Sequence, residues 1–352
     1  MSEAKRVLIT GGAGYLGSLL VAKLANQKQS SAAHFNLSEK NSASSAAEHT
    51  IPAFPVEAVV SCDVRAVPEV NRLPNVTYLV ADVRTADFTA MMREHRINVV
   101  VHLAAILAPP GKQIDRNFIY EVDVVGTRNV LDACLAGGVQ KIIISSSGAA
   151  YGYHADNPEW LTEEHPVRGN PDYSYSDHKR QVEEMLADYR SRHPELQQIV
   201  FRIGTILGDT VNNQITNLFQ KKTVPGVSGS DSPFVFIWDW DVVGAILFAI
   251  GSERQGVFNL AGDGKLTIDE LAEMLGKKAR RYPVWLLATA LFIGKTLGLS
   301  RYGPEQLKFL RYRPVLLNTK LKTELGYIPR KTTREVFAYY LQSAYKETSQ
   351  SS

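Results

Sequence analysis

Cysteine is nearly absent from this chain of 352 residues. The two cysteines, Cys62 and Cys134, are too few for a disulfide framework, and both stand in apolar runs typical of buried thiols. This favours a reducing compartment and excludes the small secreted domains that disulfides hold together. The N-terminal segment also lacks a long apolar stretch and a small-residue cleavage site, so we expect no signal peptide and a cytoplasmic protein.

An excess of one charge is missing as well. The chain has 39 lysines and arginines against 36 aspartates and glutamates, a formal net charge of +3 at pH 7, without a long block of like charge. We therefore expect no nucleic-acid partner. The eight histidines lack the helical two-histidine spacing suited to zinc, so we predict no metal site.

Long hydrophobic runs are also scarce. The most apolar stretch, residues 284–299, is shorter than the roughly 20 residues needed to span a bilayer, so no transmembrane span is expected. We predict instead a helix that lines an apolar pocket or the core. Peripheral contact with a membrane surface is the alternative.

Short apolar and β-branched runs alternate with helical stretches in the first part of the chain. They cover residues 7–10, 56–61, 76–81, 99–103, 141–145 and 198–202. Continuously apolar strands of this kind are covered by helices on both faces. The pattern predicts an α/β fold with a doubly wound parallel sheet.

A glycine-rich loop directly follows the first of these strands. Gly11, Gly14 and Gly17 have the spacing G-x-x-G-x-x-G, and a helical run begins after them. Glycines let the backbone turn tightly and approach a pyrophosphate, which the N–H groups at the start of the helix can bind. Strand, glycines and helix in this order predict a Rossmann dinucleotide-binding domain over residues 1–203.

Two segments depart from the regular alternation. Residues 27–55 are rich in serine and alanine and poor in large apolar residues, which predicts an exposed, flexible insertion. Beyond residue 203 turn signals increase, which predicts a smaller C-terminal substrate-binding lobe over residues 204–346. We expect some segments of this lobe to return to the Rossmann core.

Acidic residues end two of the strands. A dinucleotide fold carries a ribose ligand at the end of its second strand, roughly 20 residues beyond the glycines. Asp63 follows the second run, and its extra distance from the glycines matches the insertion, so we assign it to the ribose. A carboxylate there favours NAD, whereas Arg65 could pair with the 2′-phosphate of NADP, which stays open. Asp82 ends the third strand and can accept from the adenine amino group or cap a helix.

Tyr175 and Lys179 stand four residues apart at the start of a helical sequence, so they share one face. Among fifteen tyrosines only Tyr327 with Lys331 repeats this spacing, and Pro329 there argues against a helix. A tyrosine in water releases its proton only near pH 10, and a nearby ammonium group and a cationic nicotinamide both favour the phenolate. Such a pair can move a proton to or from a substrate oxygen during hydride transfer, although the spacing alone is common and often structural.

Ser147 ends the fifth strand, where side chains face the crevice in which α/β sheets bind ligands. The connection to Tyr175 is long enough to bring both side chains to one carbonyl group. We therefore assign Ser147 to the reacting oxygen of the substrate. Ser145 and Ser146 are expected to form local hydrogen bonds.

Together these motifs resemble the extended short-chain dehydrogenase/reductases, also called the NAD-dependent epimerase/dehydratase family. The resemblance covers nearly the whole chain apart from the insertion. Its motifs are the glycine loop, Asp82-Val83, His102-Leu103-Ala104-Ala105, Gly126-Thr127 with Asn129, the strand end from Ser147 to Gly152, Tyr175 with Lys179, Phe258-Asn259-Leu260-Ala261-Gly262 and Glu324-Leu325-Gly326-Tyr327-Ile328-Pro329.

The resemblance implies catalytic roles: Tyr175 is the acid/base, Lys179 binds the nicotinamide ribose and tunes Tyr175, and Ser147 hydrogen-bonds the reacting oxygen. It also implies a homodimer formed through a four-helix bundle near residues 116–136 and 174–191. From the residues and the resemblance together, we predict cofactor contacts at Gly11, Gly14, Tyr15, Leu16, Gly17, Asp63, Asp82, Val83, Leu103, Ala104, Ala105, Tyr175 and Lys179.

Departures from the family's patterns narrow the reaction. Dehydratases of nucleotide sugars resemble Thr-Asp-Glu at the strand end, where this chain has Ser147-Gly148-Ala149, so a 4,6-dehydratase is not expected. Aromatic residues replace the polar run typical of the nucleotide-sugar branch and, with residues 284–299, predict a less polar pocket, although some will be core. They are Phe234, Phe236, Trp238 and Trp240. Asp123 replaces an asparagine of the family, which puts in doubt any proton relay or backbone hydrogen bond assigned to that position.

These observations predict an enzyme that binds a small molecule. The first interpretation is an NAD(P)-dependent oxidoreductase that interconverts a secondary alcohol and a ketone on a moderately apolar substrate, with tyrosine as acid/base. The alternative is a nucleotide-sugar epimerase that uses transient oxidation by tightly bound NAD. A third interpretation is a non-catalytic NAD-binding scaffold or sensor, against which Ser147, Tyr175 and Lys179 argue.

Overall fold

The computed structural model has a parallel sheet at its centre and a smaller lobe beside it. It describes residues 3–29, 51–106, 115–209, 211, 214–231, 233–298, 303–304 and 306–350. The strands are β1 (Lys5–Thr10), β2 (Val56–Asp63), β3 (Val76–Val80), β4 (Val99–His102), β5 (Lys141–Ser147), β6 (Gln197–Ile203), β7 (Thr205–Leu207), β8 (Val224–Val227), β9 (Phe236–Trp238), β10 (Gly256–Leu260) and β11 (Ala279–Tyr282).

Helices flank the sheet and build the lobe. They are α1 (Tyr15–Gln29), α2 (Phe88–Glu94), α3 (Arg116–Tyr120), α4 (Gly126–Gly137), α5 (Ser174–Arg192), α6 (Gln214–Phe219), α7 (Asp239–Gly251), α8 (Ile268–Met274), α9 (Val284–Thr296), α10 (Gln306–Arg311) and α11 (Thr333–Gln350). A π-helical turn (Glu121–Val125) joins α3 to α4, and a 3₁₀ turn (Gly148–Tyr151) follows β5.

Seven strands form the central sheet in the order β10-β6-β5-β4-β1-β2-β3. All neighbouring strands run parallel, and Thr10 at the end of β1 lies beside both Cys62 and His102. The chain moves outward from β1 to β3 and then crosses back to β4, and such a reversal opens a ligand crevice at the carboxyl ends of the strands. The predicted doubly wound parallel sheet is confirmed.

Helices cover both faces of the sheet. Successive side chains of each strand point to opposite faces, so both sets are buried. On one face Val7 and Ile9 pack in a cluster that includes Leu24 of α1 and residues of α7. On the other face Leu8 packs in a cluster that includes Leu131 of α4 and residues of α2 and α5. Burial of such side chains contributes roughly 2 kcal/mol each, which explains the continuously apolar strands.

The ends of the predicted insertion at residues 27–55 belong to the folded structure. Residues 27–29 belong to α1, and residues 30–50 lie outside the described residues. The expected exposure is wrong at the other end, because Ile51 and Phe54 are 1% and 4% exposed and belong to the core. Gln27 fixes this end by donating its Nε2–H to the carbonyl of Phe54 (2.8 Å).

The C-terminal lobe is built around aromatic residues. Two small parallel sheets, β7 with β9 and β8 with β11, pair in this part of the chain. Phe236 stacks on Phe234 and on Phe337 of α11, at ring distances of 5.6 and 5.5 Å. Phe234, Phe236 and Trp238 are buried in the core of the lobe, as expected for some of these aromatic residues. Trp240 is partly buried, with Lys23 4.7 Å from its ring centroid.

Within the apolar stretch at residues 284–299, residues 284–296 form helix α9, which does not belong to the core, and residue 299 lies outside the described residues. None of the residues of α9 is buried, and Trp285 and Phe292 are 70% and 62% exposed. The prediction of a core helix is therefore wrong. In the described ranges of the chain, no helix is both long and apolar enough to cross a membrane.

Candidate active site

The glycine loop lies between the end of β1 and the start of α1. Gly11 has a left-handed backbone (φ +73°), and a Cβ there would lie 2.8 Å from the backbone nitrogen of Ala104. A Cβ on Gly17 would strike the carbonyl of Gly11. The loop therefore requires glycine and leaves a bare backbone surface beside the N-terminus of α1, which suits a pyrophosphate. The residues present fit a dinucleotide.

Asp63 ends β2 beside this loop. Its carboxylate accepts from the backbone N–H groups of Ala13 (3.1 Å) and Arg65 (3.0 Å). The register that the sequence predicted across the insertion therefore agrees with the structure, and the ribose role of Asp63 stays a prediction. The exposed Arg65 side chain donates to Asp63 and to the carbonyl of Ala13, and it lines a cavity of about 340 Å³ with Asn71 and Tyr78.

Asp82 follows β3 and is held by a neighbour in sequence. Arg84 donates to its carboxylate through both backbone (2.9 Å) and guanidinium (2.6 Å). The side-chain hydrogen bond from Arg84 lowers the pKa of Asp82 below its usual value. Asp82 does not cap α2, because Asp87 does so by accepting from the N–H of Ala90. Val83 is buried against Gly126.

The other predicted cofactor contacts surround the same crevice. Tyr15 donates its O–H to Asp239 of α7, and Leu16 packs on the core. Leu103, Ala104 and Ala105 follow β4 and are half-buried. Their roles as cofactor contacts stay predictions.

His102 ties the ends of β1 and β4 to α4. Its Nδ1 lies 2.7 Å from the hydroxyl of Thr10, and its Nε2 lies 3.0 Å from that of Thr127. Thr127 donates its own proton to the carbonyl of Asp123, so it accepts from Nε2–H, and Nδ1 accepts from Thr10. Burial, with a smaller contribution from Lys179, lowers the pKa of His102 to about 4. His102 is therefore a neutral structural link.

Tyr175 and Lys179 lie on one face of α5, at the carboxyl end of β5. The Lys179 ammonium lies 5.9 Å from the centroid of the Tyr175 ring and donates to the carbonyl of Ser145 (3.0 Å). Ser147 accepts from the backbone N–H of Ala149 (3.1 Å), so its own O–H can donate to a bound oxygen. A half-buried tyrosine, a buried ammonium and a hydroxyl thus share one end of the sheet.

Sequence reasoning missed a buried charged network behind this group. Ser146 donates to Glu183 (2.5 Å), and Arg202 of β6 binds the same carboxylate (2.6 Å). Arg202 also donates to the hydroxyl of Tyr151 (2.8 Å). Glu183 lies one helical turn beyond Lys179, so the network fixes the face of α5 that carries the candidate catalytic residues. Arg202, a charged residue inside the apolar sequence of β6, was the signal for this network.

Asp123 and His178 form a second buried pair. Asp123 accepts from the N–H of Ile106 through Oδ1 (2.9 Å), and its Oδ2 lies 3.8 Å from Nδ1 of His178. Neither of these last two atoms has a hydrogen-bond partner among the described residues. The aspartate at the family's asparagine position thus faces a histidine in the helical turn between Tyr175 and Lys179. The sequence pattern did not predict this contact.

Beyond Tyr175 lies an aromatic wall, which we define as Tyr153, Tyr173 and Phe309. The ring of Tyr153 lies 5.7 Å from that of Tyr173 and 5.3 Å from that of Phe309. The partly buried Arg313 guanidinium lies 5.2 Å from the Phe309 ring, and burial lowers its pKa to about 9. Burial raises the pKa of Tyr153 well above its usual value, Tyr173 and then Tyr175 raise it further, and Arg313 lowers it. The wall thus has a cation beside it, at Phe309.

A doubly wound sheet, a glycine loop after its first strand and a Tyr-Lys pair on the helix beside β5 define an enzyme of the short-chain dehydrogenase/reductase type. The model of the NAD dependent epimerase/dehydratase family matches residues 7–261. The chain belongs to this family, and the predicted resemblance is confirmed. The predicted use of NAD is confirmed at the level of the family.

Some similar proteins carry the names of enzymes, and others have no assigned function. An uncharacterized protein of Mycobacterium tuberculosis is 24% identical over 344 residues, 96% of this chain and 84% of that protein. A UDP-glucose 4-epimerase of Azospirillum brasilense is 27% identical over 209 residues, 59% of this chain and 51% of that protein. The structure of dTDP-glucose 4,6-dehydratase from Bacillus anthracis with NAD has a TM-score of 0.68 at 18% identity, covering 98% of both chains. That likeness shows the fold alone.

Proposed function

We propose that this chain is an NAD-dependent oxidoreductase that interconverts a secondary alcohol and a ketone on a moderately apolar small molecule. The observation that carries the proposal is the shared face of α5 on which Tyr175 and Lys179 lie, at the end of β5 where Ser147 stands. This edge of the sheet also bears the glycine loop. Proton-transfer groups and a dinucleotide cradle therefore open into one crevice.

The cradle suits a dinucleotide with free ribose hydroxyls. Asp63 presents its carboxylate beside the glycine loop, where it would accept from those hydroxyls and repel a 2′-phosphate. NAD, when bound, supplies the acceptor or donor of hydride. The alternative cofactor, NADP, depends on Arg65, whose guanidinium would have to leave Asp63 to bind the added phosphate.

The chain's own residues handle the proton. During oxidation the alcohol carbon loses a hydride, its O–H proton passes to the phenolate oxygen of Tyr175, and the carbonyl double bond forms. Lys179 stabilises the phenolate by its positive charge, and Ser147 donates to the substrate oxygen. Ketone reduction runs the same steps in reverse, so Tyr175 returns the proton.

The aromatic wall supports an apolar substrate. Its three rings pack on one another, Tyr153 interacts electrostatically with Tyr175, and the rings provide contact area for a hydrocarbon or ring system. The strand-end positions that are acidic in dehydratases are Gly148 and Ala149 here, which argues against elimination.

A second candidate is a nucleotide-sugar epimerase, and a specific observation favours it. Arg313 lies at the aromatic wall, and a guanidinium is well suited to a diphosphate. The A. brasilense relative also bears the name UDP-glucose 4-epimerase. In this case Tyr175, Lys179 and Ser147 would perform a transient oxidation that is reversed on the opposite face of the sugar.

One experiment separates the two candidates. The full chain is incubated with NAD and either a panel of secondary alcohols or UDP-sugars, and NADH absorbance and sugar epimers are both measured. Net NADH with an alcohol that is unaffected by Arg313→Met supports the oxidoreductase. Epimer formation without net NADH, with a raised KM in Arg313→Met, supports the epimerase. Neither product in wild type, with equal traces in Tyr175→Phe, would overturn both.

We further propose a cytoplasmic homodimer. Cys62 and Cys134 are buried free thiols, and burial raises the pKa of the Cys62 thiol to about 12, as expected for inert cysteines in a reducing compartment.

Phe118, Tyr120 and Val125, on α3 and the turn after it, are 38–40% exposed and supply apolar surface for a second copy.

A further inference from the structure

Helix α9 exposes an apolar stripe to solvent. Its members are Trp285 (70% exposed), Leu286 (41%), Phe292 (62%), Ile293 (50%) and, directly after the last helical residue, Leu297 (65%). Trp285 and Phe292 are two helical turns apart, as are Leu286 and Ile293, so all lie on one side. A contiguous group of five exposed large apolar side chains on a protein surface usually marks an interaction site.

The hydroxyl groups on this side of α9 are satisfied within the helix. Thr289 donates to the carbonyl of Trp285 and Thr296 to that of Phe292, each at 2.9 Å. Bonds of this kind reduce the need for water at these two hydroxyl groups. The stripe therefore suits an apolar medium.

Positive charge surrounds this apolar segment. Residues 274–304 contain six lysines and arginines and no aspartate or glutamate. Lys278 and Arg280 are exposed at β11, directly before α9, and Lys221 and Lys222 are exposed before its partner strand β8. Arg281 is paired with Asp269, which neutralises one cation of the group. The sequence that leads into the helix is thus basic overall.

We propose that α9 lies on the surface of a lipid bilayer that carries anionic headgroups. Its stripe would enter the boundary between headgroups and acyl chains, with Trp285 at the interface and the exposed cations that precede the helix in sequence on the headgroups. Thirteen helical residues extend about 20 Å, so the helix lies along the membrane rather than across it. Pairing with a second copy would bring two basic segments together, which argues against that occupant.

Vesicle flotation of the full chain tests this proposal. The vesicles are phosphatidylcholine alone or phosphatidylcholine with one third phosphatidylglycerol. We expect binding to the anionic vesicles that falls about tenfold or more in Phe292→Gln/Ile293→Gln and in Lys278→Glu/Arg280→Glu. The matched control is Val70→Gln, at a valine that is 89% exposed elsewhere on the chain, and it should bind like wild type.

Tryptophan fluorescence gives an independent measure of depth. Emission should shift to the blue on binding anionic vesicles, and Trp285→Phe should lose this shift while still floating. Circular dichroism checks that every variant is folded, as expected for exposed positions. No flotation of wild type, or equal flotation of Phe292→Gln/Ile293→Gln, would overturn the proposal. Self-association in solution that the same double variant abolishes would assign the stripe to a second copy instead.

Discussion

The carboxylate of Glu183 and the guanidinium of Arg202 form an ion pair buried behind the Tyr175-Lys179 face of α5. The two side chains are 4% and 8% exposed, and Nη2 and Oε2 are 2.6 Å apart. The pair links the helix that carries the candidate catalytic residues to β6. Because each charge is desolvated, each depends on the other for compensation.

Breaking this pair should destabilise the fold. Arg202→Met leaves the Glu183 carboxylate buried and unpaired, so we expect the free energy of unfolding in urea to fall by about 3–5 kcal/mol. Arg192→Met is the matched control, since Arg192 pairs with Asp188 where both are exposed, and it should change stability little. Equal losses in the two variants would show that burial of the pair does not matter.

Loss of the Tyr175 hydroxyl should abolish turnover without affecting the cofactor. We expect Tyr175→Phe to lower kcat by about 10²–10⁴-fold, since the proton then has no acceptor at that position. NAD binding, measured by calorimetry, should stay within twofold of wild type. Tyr173→Phe, two residues earlier, is the control and should keep most of the activity. A Tyr175→Phe enzyme as active as wild type would assign the acid/base role elsewhere.

Asp63 should determine the cofactor. Removal of its carboxylate in Asp63→Ala should weaken NAD binding by about tenfold or more, as loss of charged hydrogen bonds does. It should also release Arg65 and improve NADP binding relative to NAD. Parallel titrations of both cofactors check this, with Asp63→Ala/Arg65→Ala as the control that should lose the NADP gain. Unchanged NAD affinity in Asp63→Ala would contradict the ribose assignment.

The burial of His102 should make stability depend on pH. The folded protein keeps His102 neutral down to a pKa of about 4, whereas the unfolded chain protonates it near pH 6.5. The unfolded state therefore binds more protons between these values. The contribution of His102 to the free energy of unfolding is therefore fully present above about pH 6.5. It falls by roughly 3 kcal/mol as the pH falls to 4.

Urea unfolding at pH 7.5 and pH 5 measures this dependence. His102→Gln keeps hydrogen-bonding groups but does not titrate, so its stability should fall less between the two pH values than that of wild type. His193→Gln, on the surface at the end of α5, should behave like wild type. A His102→Gln protein with the wild-type pH dependence would contradict the neutral link between Thr10 and Thr127.

The proposed dimer should depend on the exposed residues of α3. Phe118→Glu/Tyr120→Glu places charges in the expected bundle, so sedimentation velocity should show a shift from dimer to monomer. Val70→Glu is the control on another surface. A wild-type monomer, or an unchanged dimer in the double variant, would contradict this assembly.

Local patterns in the sequence predicted most of the fold. The continuous apolar runs and the glycine spacing depend on neighbours within a few residues, so they place β1, the loop and α1 correctly. Asp63 was placed beside the loop despite the intervening segment because a strand end is itself a local signal. The Tyr175-Lys179 face also needs only helical periodicity.

Features that depend on distant partners were missed or misassigned. Alternation in the strand around Phe236 cannot tell a pocket from a core, and α11 decides it by placing Phe337 against that ring. The apolar composition of α9 equally cannot tell whether another element covers it. Arg313 reaches the aromatic wall, and Arg202 pairs with Glu183, only through tertiary contacts.

The position of β10 at the edge of the sheet affects how the protein is made. During translation β6 leaves the ribosome well before β10, its hydrogen-bonding neighbour. Asn259 of β10 also accepts from the hydroxyl of Tyr151 (2.8 Å), so the polar network behind the crevice closes only when this strand arrives. Until then a nascent chain carries an unpaired strand edge, the kind of surface on which incomplete chains aggregate and chaperones act.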